Sequence, residues 1–154
     1  MNLRDLPLGN LIVRDGIVRA ADVRDALVEA QDTDRRLGEV LLARGWIRER
    51  DLARLLAQQE GLDFVDLGMV DLDERAVDCL PETVARASGA VAYGFAAKVL
   101  LVAIADPTDE SAMDAVRAAV ERRVRFVVAT AGEVAAAQRD AFGEPFSAAA
   151  EQLV

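Results

Sequence analysis

Residues 36–47 read RLGEVLLARGWI, and residues 7–18 read PLGNLIVRDGIV. Shifted by 29 positions (36 − 7), the stretches superimpose: Leu37-Gly38 falls on Leu8-Gly9, and Gly45 falls on Gly16. A phrase written twice marks a repeat, and a repeat fixes the architecture before any single element is read. In each copy apolar residues at helical spacing lead to a glycine: Leu8, Leu11 and Ile12 before Gly16, then Leu37, Val40 and Leu41 before Gly45. A glycine just past such a run stops a helix, because the left-handed stop conformation carries no Cβ penalty there. A longer helix follows in each copy. Val23, Leu27 and Ala30 share one face of the first, and Leu52, Leu56 and Gln59 hold the same places in the second. Both of these helices open on Arg (Arg19 and Arg48), a poor cap, with Asp22 and Asp51 in the first turn to complement the helix dipole. The polar stretch DTDRR joins the copies. Residues 1–60 are therefore expected to form a four-helix subdomain of two tandem helix-turn-helix repeats.

After Gly61 the pattern changes. Leu62 to Leu67 alternates and predicts a short strand. Asp73 to Cys79 and Glu82 to Ala87 predict short helices. Val91 to Phe95 and Val99 to Ile104 predict two strands joined by a tight turn near Ala96-Ala97. Asp106-Pro107 predicts a helix start, with Asp at the cap and Pro at the first helical position, running from Thr108 to about Val120. Val124 to Val128 predicts a strand, and Thr130 with Glu133 three residues on is a capping box for a last helix. The fold class expected is α+β: the helical subdomain, a small α/β subdomain with a mixed sheet over 61–143, and a tail over 144–154.

The chain has 154 residues, 53% apolar and 29% charged, with a formal charge of −9, so a globular chain is expected rather than a disordered one. That charge argues against binding a nucleic acid polymer, although a local basic cluster still suits one small anion. There are no histidines and one cysteine, Cys79, so neither a zinc site nor an internal disulfide is expected. No apolar run approaches the roughly 20 residues of a membrane span, and no signal peptide is visible. A cytoplasmic protein with no membrane insertion is the expectation. Lys98 is the only lysine among 18 Lys plus Arg.

No catalytic constellation is present: histidine, the commonest general acid/base, is missing, and no GxxxxGK[ST] loop occurs. The chain is expected not to be an enzyme. The repeat is the specific signal. Arg36 stands just before a helix start, beside Gly38, which has no side chain. Amides at a helix start attract anions, and a guanidinium pairs with phosphate or lies flat on a purine. Leu52 and Leu56 would give an apolar floor, and Gln59 a donor and an acceptor for a base edge. The same Leu-Gly pattern also suits plain helix packing, with the Leu stripes as core.

Arg36-Leu37-Gly38, Leu41, Leu42, Gly45, Ile47, Leu52, Leu56 and Gln59 resemble the signature of MshEN domains, the N-terminal domains of type II secretion and type IV pilus assembly ATPases. The second half is similar as well, through Gly61 to Leu67, Leu80-Pro81-Glu82 and Val102 to Pro107, so the resemblance spans roughly residues 8–143. It implies a tandem motif whose two copies each hold one half of cyclic di-GMP, with no required cofactor. The implied ligand residues are Arg36, Leu37, Gly38, Leu52, Leu56 and Gln59, with Leu8, Gly9, Val23 and Leu27 from the first copy. That copy departs from the pattern: Pro7 replaces the Arg, and Ala30 the closing Gln, with Gln31 one residue late and turned about 100° around the helix. Trp46 stands where an aliphatic residue is usual. The implied role is a regulatory and docking module that engages the cytoplasmic part of an inner-membrane platform protein and an ATPase motor. The alternative is a protein–protein adaptor of the same fold with a vestigial motif. A second role expected of Asp106 is a reach to an Arg of the helical half.

Overall fold

The computed structural model describes residues 5–144, with side chains from Pro7 onward. The chain packs as two compact units, with the division after Phe64. Residues 145–154 of the expected tail, and Arg4, lie outside the described residues.

The first unit holds α1 (Asp5–Arg14), α2 (Ala20–Asp32), α3 (Leu37–Ala43), α4 (Glu49–Glu60) and the short strand β1 (Asp63–Phe64). The repeat is realised in its backbone. At Gly16 (φ +70°) the Ile17 N–H donates to Ile12 O at 3.1 Å, and at Gly45 (φ +70°) the Trp46 N–H donates to Leu41 O at 3.0 Å. Each pair is the six-to-one bond of a Schellman stop, in which a left-handed residue turns the chain off the helix axis. Asp34 (φ +54°) ends α2 the same way, with Arg35 N–H on Ala30 O at 2.8 Å. The core is paired as the repeat requires. Leu8 and Leu37, Ile12 and Leu41, Val18 and Ile47, Val23 and Leu52, and Ala26 and Leu55 are all buried in one cluster. Arg19, Arg36 and Arg48 occupy the N-cap positions with extended backbone and no side-chain cap. In copy one the helix begins earlier than expected, at Asp5, so Pro7 lies in its first turn. A missing N–H costs nothing there.

The second unit opens with a 3₁₀ turn (Leu67–Met69), α5 (Glu74–Val77) and α6 (Glu82–Ser88). β2 (Ala90–Ala96) pairs antiparallel with β3 (Val99–Ile104), from Ala90 opposite Ile104 to Ala96 opposite Val99, with an irregularity between Ala92 and Gly94. β3 pairs in parallel with β4 (Val124–Val128), from Leu100 opposite Val124 to Ile104 opposite Val128. Parallel neighbours need a crossover, and α7 (Glu110–Ala119) supplies it. The sheet is thus mixed, as read from the sequence. α8 (Ala131–Phe142) follows β4 and packs Val134 and Ala137 into a cluster with Leu67, Val91, Tyr93 and Ala103. Buried Gln138 donates from Nε2 to Ala85 O (3.1 Å) and Ala90 O (2.9 Å), so one amide satisfies two carbonyls.

Two expected boundaries are corrected. The strand over Leu62–Leu67 shrinks to Asp63–Phe64, because the backbone turns at Leu67–Met69. Glu133 Oε2 accepts the Gly68 N–H at 2.7 Å and anchors that turn. The helix expected from Asp106-Pro107 starts three residues later. Asp109 is its cap, accepting from Ala112 N at 3.0 Å. Asp106 Oδ1 instead accepts from both the N–H (3.0 Å) and the hydroxyl (2.5 Å) of Thr108. A local Asp side-chain turn of this kind competes with helix formation. The capping box at Thr130 is present in its forward half, with Glu133 N–H donating to Thr130 Oγ1 at 3.1 Å.

One ion pair spans the two copies. Arg44 donates to both carboxylate oxygens of Glu29, at 2.9 and 3.1 Å, and its guanidinium lies 4.8 Å from the Trp46 ring centre. These hydrogen bonds hold the Glu29 carboxyl below its ordinary value of 4.5, and burial opposes them only in part. A carboxyl lowered by folding stabilises the folded chain above its unfolded pKa, and that contribution disappears as pH falls through the folded value. Glu29→Gln should therefore lower the midpoint of thermal unfolding at neutral pH. The gap from the parent should close as the pH is taken below 4.5. An equal gap at every pH would mean that the pair contributes nothing through charge.

Candidate functional site

Motif two is built on the start of α3 and one face of α4. Arg36 is the half-buried N-cap of α3. Leu37 is fully buried and Leu52 nearly so. A Cβ placed on Gly38 would lie 3.1 and 3.2 Å from the two Leu52 methyls. Motif one repeats the contact: a Cβ on Gly9 would lie 3.3 Å from Val23 Cγ1 and 3.6 Å from Leu37 Cδ2. Helix packing takes up one side of each motif glycine. The space beside each glycine is filled by the branched side chain of the following long helix. Leu8, Leu37, Val23 and Leu52 accordingly belong to the core, where van der Waals contact at close helix approach holds them.

What remains open lies further along the same helices. Leu27 and Leu56 are half-buried against the core, at equivalent places in the two copies. Val13 and Leu42, also equivalent (42 − 13 = 29), are 38% and 36% exposed. They mark matching apolar spots beside the two motifs. Beside motif one a cavity of about 390 Å³ opens between α1 and α2, lined by Gly9, Val13, Val23 and Leu27, with Arg14 and Arg24. The sequence reading passed over Val13 as a groove residue, and also Arg14 and Arg24. The signal was present: an apolar residue four positions after each motif glycine, just beyond the stripe that the core uses.

Gln59 closes motif two. Its Nε2 donates to Glu60 Oε1 at 3.1 Å. Its Oε1 is buried and has no hydrogen-bond partner, the one such side-chain atom among the described residues. An unsatisfied buried acceptor costs roughly 1–3 kcal/mol, so it calls for a reason. At the matching place in copy one, Ala30 is buried in the core, and Gln31 is exposed. Asp106 is exposed, and its Oδ1 is taken by Thr108. Among the described residues no group of His, Cys, Asp and Glu is arranged to hold a metal ion, and no helix is long and apolar enough to cross a membrane.

Known proteins similar to this chain give the fold a context. The MshEN domain profile matches residues 60–148. The type IV pilus assembly ATPase PilB of Thermus thermophilus is 34% identical over 128 residues, which cover 82% of this chain and 14% of that protein. PilB of Myxococcus xanthus is 29% identical over 123 residues, 80% of this chain and 22% of that protein. The chain thus matches less than a quarter of the length of these relatives. Among solved structures, that of MshE with cdg (cyclic di-GMP) superimposes with a TM-score of 0.80 at 34% identity, covering 88% of this chain and 98% of that one.

The glycine contacts make a direct prediction. Gly38→Val puts two further methyls where Leu52 already stands 3.1 Å from a Cβ. Overpacking of this kind costs roughly 1–3 kcal/mol. Chemical denaturation should show the loss, with a similar one for Gly9→Val. Unchanged midpoints would mean that the helices do not rely on this approach.

Proposed function

The chain belongs to the MshEN domain family, and we propose that it is a non-catalytic regulatory and docking module of a secretion or pilus assembly motor, with its helical unit as a seat for cyclic di-GMP. The observation that carries the ligand part is the buried, unpartnered Oε1 of Gln59 at the closing position of motif two. An amide held there at a cost has a use if a guanine edge meets it. The solved MshE relative, which holds cdg, supports the same reading.

In this reading Arg36 supplies the charged fork for a phosphate or the stacking plane for guanine. Leu56 and Leu42 receive the base, and Leu27 and Val13 take the second half of a ligand with two equivalent halves. Leu37, Gly38 and Leu52 act from behind, as do Leu8, Gly9 and Val23, by setting how closely the helices approach. Copy one, with Pro7 and Ala30, offers its half an apolar wall, with Arg14 and Arg24 in the lining of the same cavity. The ligand is the only cofactor in the proposal. The docking partner is the cytoplasmic part of an inner-membrane platform protein, which places the module in the cytoplasm at the membrane periphery, and the motor is an ATPase of the PilB kind.

A second reading, a protein–protein adaptor that holds no nucleotide, is favoured by the packing of Leu52 and Val23 against the motif glycines. Calorimetry with cyclic di-GMP separates the two. The proposal expects saturable heat, weakened roughly ten- to a hundredfold by Arg36→Ala or Gln59→Ala, each of which removes a polar contact. Leu42→Ser should weaken binding while leaving stability within about 0.5 kcal/mol, as for surface changes generally. Absence of heat at about 1 mM ligand, where a binding free energy near −4 kcal/mol would still register, overturns the nucleotide seat and leaves the adaptor.

A further inference from the structure

The second unit carries a feature that the cyclic di-GMP reading does not use. A cleft of about 460 Å³ is lined by Arg75, Lys98 and Arg122, with Asp73, Cys79 and Phe95. The chain has 27 acidic and 18 basic side chains, yet this cleft holds three cations and one carboxylate. The only lysine of the protein is among them.

The local structure leaves these cations with little carboxylate pairing. Lys98 stands in the two-residue turn between β2 and β3, after Ala97, whose φ of +55° is a left-handed conformation that a residue with a Cβ rarely adopts. Arg122 lies with its guanidinium 5.0 Å from the Phe95 ring centre. Stacking uses the face of the guanidinium and leaves its in-plane N–H donors to point elsewhere. Asp73 is largely committed: its Oδ1 accepts the Arg75 N–H at 2.9 Å to cap α5, and the Arg75 side chain stays 3.7 Å away and 88% exposed. Such an exposed pair is worth little. Among the described residues no other carboxylate pairs with Arg75, Lys98 or Arg122. Three like charges around one cleft repel each other until an anion enters, and two guanidinium forks with one ammonium are the donor set that phosphoryl oxygens select.

We propose that this cleft binds an anionic phosphoryl group, with Lys98 as the point charge and Arg75 and Arg122 as the forks. The phosphoryl group can belong to a soluble phosphate compound or to a lipid headgroup.

Inorganic pyrophosphate is the soluble probe, and phosphatidylglycerol vesicles against phosphatidylcholine vesicles are the lipid probe, both used with the full chain. Because Lys98 is the only lysine, amine acylation followed by mass spectrometry reads its occupancy, with the N-terminal amine as internal control. Saturable protection of Lys98 by pyrophosphate, weakened about tenfold by Arg122→Ala and less by Arg122→Lys, supports a soluble ligand. Sedimentation with phosphatidylglycerol vesicles that is lost in Lys98→Ala, without protection by pyrophosphate, supports a headgroup. Lys98 is exposed and, among the described residues, pairs with no ring, so Lys98→Ala is expected to unfold at the parent temperature, while Arg122→Ala gives up its contact with Phe95 and should unfold only slightly lower; both are checked alongside. The proposal is overturned if neither probe responds at about 1 mM, if the response is indifferent to these substitutions, or if a poly-glutamate peptide protects Lys98 where pyrophosphate does not.

Discussion

The helical unit depends on one contact made twice: a glycine near a helix start pressed against a branched apolar side chain of the next long helix, Gly38 on Leu52 and Gly9 on Val23. Without a Cβ at these positions two backbones approach closely enough for neighbouring large residues to reach a common centre. Leu37 and Leu8 then become core residues, as do Leu41 and Ile12 one turn later. Dispersion falls off steeply with separation, so a small outward shift of either helix would loosen all of these contacts together. The doubled Leu-Gly phrase is therefore first a statement about helix spacing. Any ligand role is laid over that spacing.

Arginine does more in this chain than balance charge. Among the described residues every phenylalanine carries a guanidinium: Arg50 and Arg54 over Phe64, Arg122 over Phe95, Arg117 over Phe126 and Arg86 over Phe142. Arg44 does the same for Trp46. With aromatics at 5% of the chain, the rings cannot shield one another, and a flat cation covers a half-exposed ring while staying hydrated at its edge. Each such contact is worth about 0.5–1 kcal/mol at an exposed site. Lysine, with a compact and strongly hydrated charge, serves this purpose less well. The preference for Arg over Lys thus has a structural use.

Much of the fold was legible because local chemistry and tertiary packing agree. Gly16, Gly45 and Gly61 stop their helices as their places in the sequence imply, the strand over Val124–Val128 is observed with those bounds, and Thr130 caps α8. The misreadings fall where a side chain had two local options. Asp106 before Pro107 has the look of a cap, but Thr108 two residues on offers a tighter turn, and Asp109 becomes the cap. Asp34 ends α2 in the left-handed conformation with no glycine to announce it. The site was legible only in part. Periodicity places Leu52 and Leu56 on one face, yet it cannot divide that face into buried and open portions. Leu52 is 8% exposed and Leu56 half-buried because Gly38 admits the first and nothing covers the second so fully.

The difference between the copies bears on what the motif is for. Copy one has settled the end of its long helix with Ala30, buried, apolar and without polar debts. Copy two, at the equivalent position by repeat, keeps Gln59 with an acceptor that nothing in the described structure satisfies. Packing alone favours the alanine solution, since the amide costs roughly 1–3 kcal/mol when left unpaired. The start of the motif shows the same division: Pro7 is absorbed into the first turn of α1, whereas Arg36 stays outside α3 as an extended, half-buried N-cap. One copy carries apolar residues at both ends of its motif, and the other carries polar side chains there. On the proposed reading, polar recognition of the ligand falls to the second copy, and the first contributes mainly shape.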